Sequence, residues 1–143
     1  MRYLALDVGA RHIGVAVAEL LASELTTLNA PKDQSFYESP QFADDEIVQL
    51  ISSEQADAVV VGLPVNERGE LSGEAAAIKK FGDRLGRQLD KTIHYVNETL
   101  TSAMASEILE SQGLSVAEAK SRQHQLSAQL ILQQYLEESS RPA

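Results

Sequence analysis

A chain of 143 residues with 43% hydrophobic and 23% charged side chains suits one folded domain with one core, and excludes general disorder. It has no cysteine, which rules out disulfides, thiolate zinc sites and cysteine nucleophiles and agrees with a reducing, cytoplasmic setting. The formal net charge is −9, so a polyanion has to be met by a local basic patch or through metal ions.

The chain opens with two short apolar, β-branched runs, Tyr3–Val8 and Ile13–Ala18, joined by Gly9-Ala10-Arg11-His12, which reads as a hairpin. The first run carries an acid and lacks a cleavage pattern, so it is not read as a signal peptide. Ser23–Asn29 is a candidate third strand, followed by a polar stretch with Pro31 and Pro40. Phe42–Ser53 places Ile47, Leu50 and Ile51 on one side of a helix. Ala58–Gly62 is a continuous apolar run, expected of a strand buried on both faces. A loop over Leu63–Leu71, a helix over Gly73–Leu89 and a strand over Thr92–Asn97 follow. Then come a helix over Thr101–Gln112, stopped by Gly113, and a last helix from about Ser121 to Glu138. These elements predict an α/β fold: a mixed five-stranded sheet of antiparallel hairpin strands plus parallel strands, with helices on both faces. Residues 1–138 are read as the single domain and 139–143 as a short polar tail. No run approaches the roughly 20 apolar residues of a membrane span, so no membrane partner is expected.

The acid is concentrated. Between Glu19 and Asp57 there are nine acids and one base, Lys32, whereas the remainder of the chain is nearly neutral. Binding of nucleic acid by that remainder is therefore compatible with the overall charge.

Three residues stand out. Asp7 interrupts an apolar strand, on a face shared with Tyr3 and Ala5 while Leu4, Leu6 and Val8 line the other. A buried carboxylate is costly unless paired or bound to metal; the plain alternative is an Asp bonding to the turn at Gly9. Glu98 lies where the Thr92–Asn97 strand passes into a helix, at a carboxyl strand end where α/β sheets gather ligands. Its plain alternative is an acid favoured by the helix dipole, worth under ~1 kcal/mol. His124 shares a helical stripe with Ala128, Ile131 and Tyr135, where a histidine is more often part of the core than a ligand.

Together these segments resemble the YqgF (RuvX) family of Holliday-junction-resolvase-like proteins and pre-16S rRNA nucleases, which have an RNase H-like fold. The resemblance rests on Leu6-Asp7-Val8-Gly9-Ala10-Arg11-His12-Ile13-Gly14-Val15-Ala16, on Val59-Val60-Val61-Gly62-Leu63-Pro64-Val65-Asn66, on Asn97-Glu98-Thr99-Leu100-Thr101 and on Leu130-Ile131-Leu132-Gln133-Gln134-Tyr135-Leu136. It implies a divalent-metal-dependent endonuclease acting on structured RNA, in 5′-end processing of pre-16S rRNA. Branched DNA is the alternative substrate, and an RNA-binding assembly factor without catalysis the alternative class. It also implies that Asp7 and Glu98 are catalytic metal ligands, with His124 at the position of the family's third acid. Asn97 stands for a usual Asp and Thr99 for a usual Arg. Carboxylates suit such chemistry because they hold the ions that activate water and neutralise a scissile phosphate. Imidazole at position 124 shifts the expected ion from Mg²⁺ toward Mn²⁺. An Asp-x-Gly hairpin also opens the actin-like ATPase fold, which closes two such domains around ATP; this chain supplies one.

Expected nucleic-acid contacts are Arg11, His12, Asn66, Arg68, Lys120 and Arg122. Lys80, Arg84, Arg87 and Lys91 also form a basic stripe, opposite Ile78, Phe81, Leu85 and Leu89, and read as a solvated helix face. With 5% aromatic residues and no Trp, recognition by shape and phosphate contacts is expected rather than base stacking. The expected oligomeric state is a monomer or weak homodimer.

Overall fold

A computed structural model describes residues 1–19, 21–64, 68, 70, 73–98 and 101–139, with 101–103 and 139 as backbone only. In chain order the elements are β1 (Tyr3–Val8), β2 (His12–Ala18), β3 (Ala22–Asn29), α1 (Gln41–Glu54), β4 (Ala58–Pro64), α2 (Gly73–Leu89), β5 (Thr92–Glu98), α3 (Thr101–Ser111) and α4 (Val116–Ser139). The five strands form one mixed sheet in the order β3-β2-β1-β4-β5. β1 pairs antiparallel with β2, which pairs antiparallel with β3. β4 runs parallel to both β1 and β5.

Period-2 alternation decides what each face buries. Leu4, Leu6 and Val8 point toward α1 and α2, joining Ile47, Ile51, Ile78, Phe81 and Leu85 in the larger core cluster. Ala5, Ala16, Val60 and Val96 face α4 and pack on Ala128, Ile131 and Leu132. Small alanines on this side let a helix approach closely. α3 docks onto the outside of α4 through Ala105, Leu109 and Leu126.

Three boundaries differ from the sequence reading in ways that matter for the site. β4 continues through Leu63 to Pro64 and β5 through Glu98, and Pro64 and Glu98 are register partners. Glu98 is thus held by the sheet ladder rather than by a loop. The last helix starts at Val116, well before Ser121. Ser115 caps it: the Glu118 N–H donates to Ser115 Oγ at 3.2 Å and the Ser115 hydroxyl donates to Glu118 Oε1 at 2.9 Å. Gly113, with φ of 72°, reverses the chain between the two helices.

The acidic stretch does not stay unbalanced. Its acids take bases from elsewhere in the chain: Asp44 on α1 pairs with Arg84 on α2 at 2.6 Å, Glu54 with Arg2 at 3.1 Å, and Glu24 on β3 with Arg122 on α4 at 2.8 Å. Arg84 is thereby withdrawn from the basic stripe to tie α2 to α1.

Candidate active site

Asp7, near the end of β1, projects to the α4 face of the sheet, and Glu98, at the end of β5, projects to the same face. β4 lies between them, and opposite Val96 it carries Gly62. A Cβ on Gly62 would stand 3.1 Å from the Glu98 carboxyl carbon and 2.6 Å from Ile131 Cδ1. The missing side chain is therefore what lets Glu98 fold back across β4 toward β1, under Ile131 of α4. Glu98 is buried, with 8% of its surface exposed.

The electrostatics record the convergence. Burial, then the negative charge of Glu98, then that of Glu74, push the Asp7 carboxyl up from 3.8 to about 7. Glu74 opens α2 on the other side of the sheet and accepts a hydrogen bond from the Tyr37 hydroxyl at 2.9 Å. The sequence reading missed this third acid because it reaches the rim from the opposite layer. Ser127, one turn along α4 from His124, offsets part of the rise at Asp7.

Two converging carboxylates with a buried hydroxyl beside them fit a hard divalent cation, which takes oxygen donors and would relieve their mutual repulsion. Among the described residues no three His, Asp or Glu side chains are grouped to hold a metal ion. A Mg²⁺ ion keeps several waters and needs only one or two carboxylates from the protein.

His124 does not complete that set. α4 crosses β2 backbone to backbone at Gly14, where a Cβ would fall 1.9 Å from the His124 carbonyl oxygen. Gly14 is the register partner of Asp7, so the crossing sets Ser127 toward Asp7 and sends His124 toward β2 and β3. The His124 ring stacks on His12, with centroids 4.5 Å apart and planes inclined by 25°. Burial, His12 and Lys120 hold the His124 pKa below its ordinary value, so the ring is neutral at neutral pH.

The expected nucleic-acid contacts divide. Arg11 donates through Nη1 to the Pro31 carbonyl at 2.7 Å and to the Gln34 carbonyl, pinning the hairpin turn to the following loop. Arg122 is committed to Glu24, with a second contact to Gln112 Oε1 at 3.3 Å. Both side chains are tied within the protein, by contacts that only long-range packing could reveal. Lys120 and His12 face one cavity together. Arg68 is exposed in a turn, and Asn66 and Thr99 lie outside the described residues. Among the described residues no helix is long and apolar enough to cross a membrane.

Known proteins share this architecture. The thermophilic T. thermophilus RuvC, solved in complex with a Holliday junction substrate, aligns with a TM-score of 0.61 at 18% identity, covering 98% of this chain and 97% of that one. The fowlpox virus Holliday junction resolvase aligns at 0.56 and 11% identity, over 97% of this chain and 99% of that one. Those likenesses establish the RuvC-like fold. Sequence relatives reach further. A Chloroflexus aurantiacus protein named "Putative pre-16S rRNA nuclease" is 39% identical over 137 residues, 94% of this chain and 85% of that protein. One of the same name from Synechococcus elongatus is 35% identical over 140 residues, 97% of this chain and 91% of that protein. The family model RuvX, described as Holliday junction resolvase, matches residues 1–138. The chain belongs to the RuvX family of nucleases.

Proposed function

We propose that the protein is a divalent-metal-dependent endonuclease that hydrolyses phosphodiester bonds in structured RNA, trimming the 5′ end of the 16S rRNA precursor in ribosome biogenesis. The relatives' names support the RNA substrate. The chemistry rests on one observation, the meeting of Asp7 and Glu98 on one face of the sheet across Gly62. Asp7 and Glu98 would hold Mg²⁺ or Mn²⁺, which would supply activation of water and neutralisation of the charge on the scissile phosphate and leaving oxygen. Asp7 and Glu98 supply the anionic oxygens, and Gly62 keeps the space between their strands clear. Because the Asp7 carboxyl holds its proton up to about pH 7, both oxygens of that group become available only as the pH rises through that value or as a cation displaces the proton. The Ser127 hydroxyl, which stabilises the charged form of Asp7, orients that carboxyl. His12 and Lys120 hold the strand beside them, and Arg68 and Asn66 add further contacts to the nucleic acid.

A second reading, an RNA-binding assembly factor without catalysis, is favoured by the absence of a three-donor set among the described residues. Incubating the protein with Mg²⁺ or Mn²⁺ and either a precursor-derived RNA hairpin or a four-way DNA junction separates the alternatives. The expected result is cleavage of the RNA, lowered about a thousandfold in Asp7→Asn, since several kcal/mol of charge stabilisation are at stake. Equal turnover by Asp7→Asn removes that residue from the chemistry. Tight RNA binding with no turnover by the wild type establishes the assembly factor, and turnover of the junction alone moves the substrate to DNA.

A further inference from the structure

A cavity of about 390 Å³ opens between the β2–β3 edge of the sheet and the first turns of α4, lined by His12, Thr27 and Asn29 from the strands and by Lys120, Ser121 and His124 from the helix. No acid lines it, although the chain carries 21 acids against 12 Lys and Arg. Its polar groups are arranged in a particular way. His12 Nδ1 donates to Asn29 Oδ1 at 2.7 Å, which spends the amide oxygen and turns the two N–H donors of the same amide the other way. The Thr27 hydroxyl donates to Gln125 Oε1 at 3.2 Å and that of Ser121 to the Glu118 carbonyl at 2.9 Å, so the donors left to an incoming anion are the Asn29 amide and Lys120. Lys120 has no ion-pair partner among the described residues, whereas Arg2, Lys79, Arg84 and Arg122 all have one. The stacked imidazoles of His12 and His124 form the wall between them.

We propose that this cavity is a phosphate-binding subsite, separate from the carboxylates, that holds a backbone phosphate of the nucleic-acid strand on the β2–β3 side of the active site. The reading rests on the nuclease assignment for its source of phosphate, and on the cavity alone for its chemistry. His12 lies two residues along β2 from Gly14, the register partner of Asp7, about 7 Å away at the rise of a strand. The subsite is thus close enough to Asp7 for one strand to engage both. It gives His124 a role: where a third acid would repel the strand, imidazole extends the acid-free wall.

The test uses the full chain and two probes. Inorganic phosphate, titrated without divalent ions, is expected to shift the ring ¹H–¹⁵N signals of His12 and His124 saturably. Lys120→Ala is expected to weaken that response at least threefold, and Lys80→Ala on the exposed face of α2 to leave it intact. In the same buffer, Lys120→Ala is expected to lower the slope of log Kd for an RNA hairpin against log salt by about one, the share of a single phosphate contact. Asn29→Asp, which replaces the outward amide with an anion, is expected to weaken binding further. Unmoved ring signals, or an unchanged salt slope in both variants, overturn the subsite while leaving metal-dependent cleavage standing. Ring signals that respond in a protein that cleaves nothing overturn the nuclease reading and leave the subsite in place.

Discussion

The α4 face of the sheet is divided into two halves of opposite character. Over β1, β4 and β5 it gathers Asp7 and Glu98, and burial together with the charges of Glu98 and of Glu74 from the other layer raises the affinity of Asp7 for a proton. Over β2 and β3 it gathers two histidines and a lysine around a cavity lined by no acid, while Glu24 on β3 is taken by Arg122. Gly14 stands at the boundary, where α4 presses directly on β2. The contrast teaches that a chain of charge −9 can approach a polyanion by sorting its charge rather than by reversing it. The acids of the 19–57 stretch take Arg2, Arg84 and Arg122 as partners, which leaves Lys120 beside the histidines.

The largest effect expected from breaking this contrast is on stability. Folded Asp7 keeps its proton up to about pH 7, whereas an unfolded carboxyl releases it near 3.8. The folded state therefore binds more protons across that window, and stability falls as pH rises from about 4 to about 7, by up to about 4 kcal/mol. In Asp7→Asn the fall disappears. Urea titrations in EDTA are expected to show the variant equal to the wild type near pH 4 and more stable at pH 8, and equal stability at pH 8 contradicts the burial of an unpaired charge.

Gly14→Ala strikes both halves at once. The new methyl meets α4 backbone, which cannot swing aside as a side chain can, so a loss of about 3 kcal/mol is expected. Denaturant midpoints check it. Gly62→Ala is milder and one-sided, because Ile131 and Glu98 can give way. About 1–2 kcal/mol is expected in the same titration, together with reduced cleavage and an unaltered phosphate response at the histidines.

Much of this was legible in the sequence. Period-2 alternation assigned the faces of β1, and the apolar run of β4 announced a buried parallel strand. The start of α4 is also written there, as the capping box Ser115-x-x-Glu118 ahead of the apolar stripe. What sequence could not supply are contacts between residues distant in the chain: Arg122 with Glu24, His124 with His12, and Glu74 reaching Asp7 from the other layer. Each depends on how helices cross the sheet, and local spacing carries no trace of it. Gly62 is a middle case. Its place in the strand was plain, but its function as the gap that lets two carboxylates meet follows only once β4 is seen to lie between β1 and β5.

The central claim, that Asp7 and Glu98 hold a divalent cation while His124 does not, is tested most directly by Mn²⁺ titration followed by electron paramagnetic resonance. Asp7→Asn and Glu98→Gln are expected to abolish the bound-ion signal, and His124→Ala to keep it at wild-type affinity. Loss of Mn²⁺ binding in His124→Ala, or its retention in both carboxylate variants, contradicts the account.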